Sequence, residues 1–232
     1  MKTVLITGIG RGIGKALAQK FLAEGYSVIG TTHGSDTSKI TGIFKSPNLK
    51  NFALDLTSPS SIKDCADKIN QLGITIDILI NNAGALFDND DTKVIIEKLR
   101  QTLEVNLIGP IDFTEHMIGL IRDNGHIVNI SSSAGSLYGA SDLRTTHYPY
   151  HYPSYKISKV ALNMYTRTLS NRFIHDGIKI TVSSVHPGWV KTDMGGPEAS
   201  VTPEEAAENI YKLAIERPET GQFWFKGEKY PW

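Results

Sequence analysis

Short runs of apolar, largely β-branched residues recur along the chain at 2–7, 27–32, 49–54, 76–81, 125–131, 178–185 and 221–225. Most carry few charges, as expected of strands covered on both faces. Between them the spacing changes to a helical period. Ile13, Ala16, Leu17, Phe21 and Leu22 share one face of a helix over 13–24, and Gly25 follows as a stop. Ser58 and Pro59 supply an N-cap and a first-turn residue for the next helix. Residues 92–107 and 110–122 predict two more, parted near Gly109-Pro110, and a long helix is predicted from about Ser154 to His175. Thr202, Pro203, Glu204 and Glu205 have capping-box spacing and open the last helix. Strands that alternate with helices imply right-handed β-α-β crossovers. The expected fold is therefore α/β, a Rossmann-type doubly wound parallel sheet of about seven strands with helices on both faces. No repeat or linker interrupts the 232 residues, so one domain over 1–232 is expected.

Such sheets bind ligands beyond the carboxyl ends of their strands. The first strand exits into Thr7-Gly8-Ile9-Gly10-Arg11-Gly12-Ile13-Gly14, directly before a helix. Glycines let the backbone approach a phosphate, and a helix N-terminus presents free N–H groups to it. The spacing, with glycines at 8, 12 and 14, departs from the common G-x-G-x-x-G but keeps its physical logic. The second strand ends at Thr31-Thr32-His33 without an acid to hold the ribose 2′-hydroxyl of NAD(H). Asp36 lies past Gly34-Ser35 and reads as a solvated turn residue. With Arg11 in the glycine loop and His33 nearby, the cofactor reads as NADP(H) rather than NAD(H), although an exposed loop cation is the plainer account of Arg11. Asp55, followed by Leu56, is placed to accept from an adenine amino group. Asn82, Ala83 and Gly84 are small enough to lie against a flat cofactor, and Asn81 is placed to lock neighbouring strands, unless both asparagines merely make the turn.

The fifth strand ends in Ser131-Ser132-Ser133, and Tyr155-Lys156-Ile157-Ser158-Lys159 follows downstream. On a helix, Tyr155 and Lys159 share a face. A phenol with a pKa of about 10 exchanges protons poorly near neutrality. An adjacent ammonium should lower that value and make the pair a working acid/base, while a serine hydroxyl orients the substrate oxygen. Tyr152 and Lys156 have the same spacing, but Pro153 disfavours helix at Tyr152.

Taken in order, Thr7-Gly8 to Gly14, Asn81-Asn82-Ala83-Gly84, Val105-Asn106, Asn129-Ile130-Ser131-Ser132, Tyr155 with Ser158-Lys159, and Pro187-Gly188 with Thr192 resemble the short-chain dehydrogenase/reductases over essentially the whole chain. The stretch from Pro187 through Trp189, Val190 and Met194 to Gly196, with Pro231-Trp232 at the end, is similar to the C-factor and sniffer-like carbonyl reductases among them. The resemblance implies that Tyr155 donates a proton to a carbonyl oxygen while nicotinamide delivers hydride to the carbon. It implies that Lys159 also binds the nicotinamide ribose and that Asn106 holds a water in a relay to Lys159. Pro187, Gly188, Val190 and Thr192 would lie at the carboxamide end, and Ser132 best matches the family serine, with Ser131 and Ser133 as neighbours.

Two departures stand out. Ser132 and Tyr155 lie 23 residues apart, and the stretch 143–153 is rich in Tyr, His and Pro. Tyr148, Tyr150 or Tyr152 would line the substrate pocket, or else the stretch faces outward or meets another subunit. Thr192 and Thr202 are close in sequence, so the substrate cover is short and the pocket is expected to be open, with broad acceptance. Lys plus Arg equals Asp plus Glu at 24 each, which gives no reason to expect nucleic acid or an anionic membrane as partner. A small carbonyl or alcohol substrate, and a possible homodimer or homotetramer, are the expected partners. The one cysteine, Cys65, reads as packing, and without a visible secretory signal a reducing, cytoplasmic setting is expected. His147 and His151 flank Pro149 with no acid or thiol to complete a metal site, so no metal is expected. A cofactor-binding regulator with little turnover and an NAD-linked alcohol dehydrogenase are the alternative functions.

Overall fold

A computed structural model describes residues 1–34, 42, 44–140 and 151–232. Its elements run β1 (Thr3–Ile6), α1 (Gly12–Ala23), β2 (Ser27–Thr32), β3 (Leu49–Ala53), α2 (Pro59–Asn70), β4 (Ile76–Asn81), α3 (Ile96–Leu103), α4 (Gly109–Met117), β5 (Ile121–Ile130), α5 (Leu137–Ala140), α6 (Pro153–Asp176), β6 (Thr181–Val185), α7 (Pro203–Glu216), β7 (Gln222–Phe225) and β8 (Glu228–Lys229). They form one eight-stranded sheet in the order β3-β2-β1-β4-β5-β6-β7-β8. Every pairing is parallel except β7 with β8. The expected count of about seven falls one short. The eighth strand is two residues long, too short to show a period. It returns on β7 through Lys226 and Gly227, both at positive φ (50° and 84°), the conformation that tight hairpins require.

The low charge of the strands has its reason in the core. Val4 and Ile6 of β1 point to one face, where they pack with Leu17 and Phe21 of α1 and Ile210 and Leu213 of α7. Leu5, between them, points to the other face, against a layer built from Ile62 and Ile69 of α2, Phe113 of α4, and Leu169 and Phe173 of α6. Helix caps follow the sequence reading. Ser58 Oγ accepts from Ser61 N–H, and Thr202 and Glu205 cap each other reciprocally. Cys65 is buried in the second layer, and burial pushes its thiol up to about 12, so it packs rather than reacts.

Boundaries differ near the site: the helix expected over 110–122 ends at Met117, and β5 already opens at Ile121. The expected break at Gly109-Pro110 is absent, because α3 passes through a π-helical turn (Glu104–Ile108) straight into α4. Pro110 lies in the first turn of α4, where its missing donor costs little. Gly109 serves close packing: a Cβ there would lie 2.2 Å from Leu56 O. Deeper in, Asn81 Nδ2 donates to Thr114 Oγ1 and Asn129 Oδ1, both at 2.8 Å, and Asn129 Nδ2 donates to Thr166 Oγ1 at 2.9 Å. This buried polar row ties β4 and β5 to α4 and α6, and so fixes the floor on which the long helix sits. Among the described residues no helix is long and apolar enough to cross a membrane.

Candidate active site

Parallel pairing brings the exits of β1 to β6 to one edge of the sheet, where nearly all the sequence candidates gather. Gly8 turns at φ 75°, with its N–H and that of Ile9 donating to Thr31 O at 2.9 and 3.0 Å. Gly10 and Arg11 lead into Gly12 (φ 53°) and Ile13, which packs partly buried on the core. A Cβ on Gly14 would lie 2.1 Å from Gly8 O and 2.4 Å from Asn82 Nδ2, so only glycine lets α1 start this close to the loop. Arg11 precedes the helix without a side-chain cap, and the first turn holds no acid. Its N–H groups are left open to an anion, which is the fit a dinucleotide pyrophosphate requires. Thr7 Oγ1 accepts from Asn82 N and Ala83 N at 3.0 Å each, and Asn82 Nδ2 donates to Thr7 O at 2.8 Å. The β1 and β4 exits are thus laced together, with Gly84 following.

At the β2 and β3 exits a cavity of about 330 Å³ is lined by His33, Gly34, Ala53, Leu54, Asp55 and Ser61. Thr57 donates to Asp55 Oδ1 through its N–H (2.9 Å) and its hydroxyl (2.7 Å), which holds that carboxyl below the usual range and ionised. His33 Nδ1 lies 3.9 Å from the same oxygen. Thr32 Oγ1 accepts from Asn51 Nδ2 at 3.0 Å, and Leu56 is buried beneath. Asp36 lies outside the described residues. Arg11 pairs with Asp193, which stands on the opposite wall of the cleft, rather than with a group at the β2 exit. That wall comprises Pro187, Gly188 (φ 92°), Val190 and Thr192. A Cβ on Gly12 would come within 3.1 Å of Thr192 Cγ2, so the two walls nearly touch. Val190 and Val201 form a parallel bridge that closes the short segment after Thr192 into a compact loop.

Ser132, Tyr155 and Lys159 lie between the walls. The Ser132 hydroxyl lies beside the Tyr155 phenol and partly offsets the effect of its burial, and Ser132 Oγ accepts from Ala134 N at 3.1 Å. Lys159, one turn along α6, is buried with Nζ donating to Ile130 O at 2.9 Å and standing 5.5 Å from the Tyr155 ring centroid. Asn106, inside the π turn, accepts from Ala85 N (2.8 Å) and donates to Ala85 O (2.9 Å) and Ser158 Oγ (3.1 Å). Its side chain therefore acts as a strut between the β4 exit and the helix of Tyr155, and π turns of this kind recur at functional sites.

The electrostatics correct one expectation. Burial, rather than a neighbouring charge, dominates the phenol here. Burial pushes Tyr155 up to about 12, partly opposed by the Ser132 hydroxyl, and burial lowers the Lys159 ammonium to about 8. Tyr155 and Lys159 both lie on α6. Tyr152 stands just outside α6 in a left-handed conformation (φ 46°, ψ 54°), with its ring 6.2 Å from that of Tyr155 and Lys156 Nζ 4.7 Å above it. Tyr152 therefore abuts Tyr155, while Tyr148, Tyr150 and His147 lie outside the described residues. Among the described residues no three His, Cys, Asp or Glu side chains cluster as metal ligands would.

Two contributors escaped the sequence reading. Asp88 Oδ2 accepts from Ser154 N at 2.6 Å and so tethers the first turn of α6 from a distant loop. Only its distance in sequence hid it. His186 Nδ1 accepts from Ser133 N at 3.2 Å, and its place directly before Pro187-Gly188 was the available signal.

Residues 2–202 match the family described as short chain dehydrogenase. Carbonyl reductase (NADPH) 1 of Mus musculus is 29% identical over 273 aligned positions, covering 98% of this chain and 97% of that protein. The NADPH-bound carbonyl reductase from chicken fatty liver superposes with a TM-score of 0.88 at 30% identity, covering 100% of this chain and 94% of that one. The carbonyl reductase Sniffer of D. melanogaster gives a TM-score of 0.88 at 26% identity, with both chains fully covered.

Proposed function

The chain belongs to the short-chain dehydrogenase family of oxidoreductases, and from that premise we propose that it is an NADP(H)-dependent reductase of ketones or aldehydes. The observation that carries the reading is the joint placement of Ser132, Tyr155 and buried Lys159 beside an uncapped, glycine-lined helix start. When bound, the dinucleotide supplies the hydride that goes to the carbonyl carbon. The chain's own residues manage the oxygen. The Ser132 hydroxyl orients it, and the Tyr155 hydroxyl transfers its proton to it as it gains charge. The charge left on the phenol is stabilised by the Lys159 ammonium, which α6 and Ile130 O hold on the same side. Asn106 and Gly84 border Lys159 and shape the path by which a proton returns to Tyr155, with a water relay there as the family resemblance implies.

A phenol protonated at neutral pH suits donation, hence reduction. The Thr31-Thr32-His33 end of β2, which carries no acid in its own sequence, with His33 largely exposed, supports NADP(H) over NAD(H), as do relatives named as NADPH carbonyl reductases. The short loop from Thr192 to Thr202 supports an open pocket and broad acceptance. Replacing Tyr155 by Phe removes the proton while keeping the ring. NADPH binding is expected to be unchanged, and turnover against a panel of ketones, aldehydes and diketones to fall by about three orders of magnitude or more. Near-normal oxidation of NADPH by Tyr155→Phe rejects the proposal.

A further inference from the structure

His186 leaves β6 with its own N–H donating to Trp224 O at 2.8 Å, so its backbone extends the sheet. Its ring lies tilted against Phe225 (centroids 4.8 Å, 32°) and 5.8 Å from Tyr230. The chemistry described above makes no use of this ring. We propose that His186 is a positioning residue, whose Nδ1 holds the Ser132–Ser133 turn so that the Ser132 hydroxyl faces Tyr155.

The argument lies in how the turn is anchored. On one side of Ser132, Ser131 N–H donates to Val185 O at 2.8 Å, which is ordinary sheet pairing. On the other side, the chain has left the sheet, and Ser133 N–H donates at 3.2 Å to His186 Nδ1. Ser132 is thus pinned between a backbone acceptor and a side-chain acceptor supplied by consecutive residues, Val185 and His186. The second anchor is held in place, because the ring packs against Phe225 and Tyr230 and its backbone N–H pairs with Trp224 O. An N–H donor requires the lone pair on Nδ1, so the proton of the neutral ring resides on Nε2. Burial lowers the imidazole to about 4, so that acceptor persists at neutral pH. A purely aromatic residue would fill the space but leave the Ser133 N–H unanswered, and the turn would be held by its local bonds, Gly135 N–H to Ser132 O and Ser136 N–H to Ser133 O, without the anchor from β6.

This role rests on the reading of Ser132 as the residue that orients the substrate oxygen, and two substitutions separate packing from hydrogen bonding. His186→Phe keeps a ring between Phe225 and Tyr230 and removes the acceptor. His186→Asn loses the ring and offers Oδ1 near the place of Nδ1. Steady-state kinetics with NADPH and a reducible ketone, NADPH binding by fluorescence, and thermal midpoints are measured for both, beside Ser132→Ala. His186→Phe is expected to lower kcat about tenfold, with carbonyl KM and NADPH affinity within about twofold and the midpoint near that of the parent. His186→Asn is expected to have the lower midpoint and yet regain most of kcat. Full turnover by His186→Phe, equal losses in the two variants, or NADPH affinity that falls in step with kcat would each overturn the role. Normal turnover by Ser132→Ala would overturn the reading beneath it, whereas a slow Ser132→Ala beside a fully active His186→Phe would reject the His186 role alone.

Discussion

Burial moves Tyr155 and Lys159 in opposite directions, the phenol up to about 12 and the ammonium down to about 8. For reduction, Tyr155 must carry its proton and Lys159 its charge. Both conditions hold below about pH 8, and the second is lost above it. The expected profile of kcat/KM for carbonyl reduction is therefore level from pH 6 to near 8 and falls beyond, approaching about tenfold per pH unit. A profile level to pH 10 would mean that the Lys159 charge is not needed. Spacing alone revealed which residues meet, since Tyr155 and Lys159 share a helix face whatever surrounds them. It could not reveal the direction of the shifts, because these depend on how much water the neighbouring loops exclude, and those loops come from Ser132, Ile130 and Gly84, far away in sequence.

Strand β5 carries a second buried titratable group, His126, at the start of its pairing with β6. Its Nδ1 faces Ala214 O of α7 at 3.1 Å and its Nε2 faces Ser183 Oγ of β6 at 2.9 Å, so the ring pins a helix to two strands. Burial lowers it to about 4, against about 6.5 in an unfolded chain. Between those values the unfolded chain binds a proton that the folded one does not. The contribution to stability is therefore complete above about pH 6.5 and is lost as pH falls toward 4, by roughly 3 kcal/mol. His186, lowered likewise, adds a second loss of the same sign. Urea unfolding at pH 7 and pH 4.5 checks this: His126→Gln should start less stable at pH 7 and lose clearly less on acidification, and an identical loss in both proteins would refute the assignment. The elements themselves were largely visible in the sequence, where burial on both faces gives strands of low charge and caps mark helix starts. The continuous passage from α3 to α4 was not visible, because Gly109 is there to clear Leu56 O, a neighbour supplied by tertiary packing, and glycine followed by proline reads locally as a stop.

Across the whole molecule, the cleft joins two halves of the sheet, and its most exposed crossing is the Arg11–Asp193 ion pair. The glycine loop and the β4 exit were legible from their small residues, and the Pro187-Gly188 turn through the family resemblance. That Arg11 reaches the far wall was not, since no local pattern specifies a partner 182 residues away. The pair sets up a competition. An exposed ion pair of this kind is worth at most about 1 kcal/mol, so a cofactor phosphate can readily draw the guanidinium away from Asp193. If Arg11 then serves a 2′-phosphate, Arg11→Ala should weaken NADPH binding by about tenfold and NADH binding by less than about threefold. Asp193→Asn, which frees the cation, should tighten NADPH by a few-fold. Titration of nicotinamide fluorescence with both cofactors on both variants decides the matter. Equal weakening of NADPH and NADH by Arg11→Ala would place the guanidinium on the shared pyrophosphate, and the preference for NADP(H) would then have to come from His33 and the acid-free end of β2.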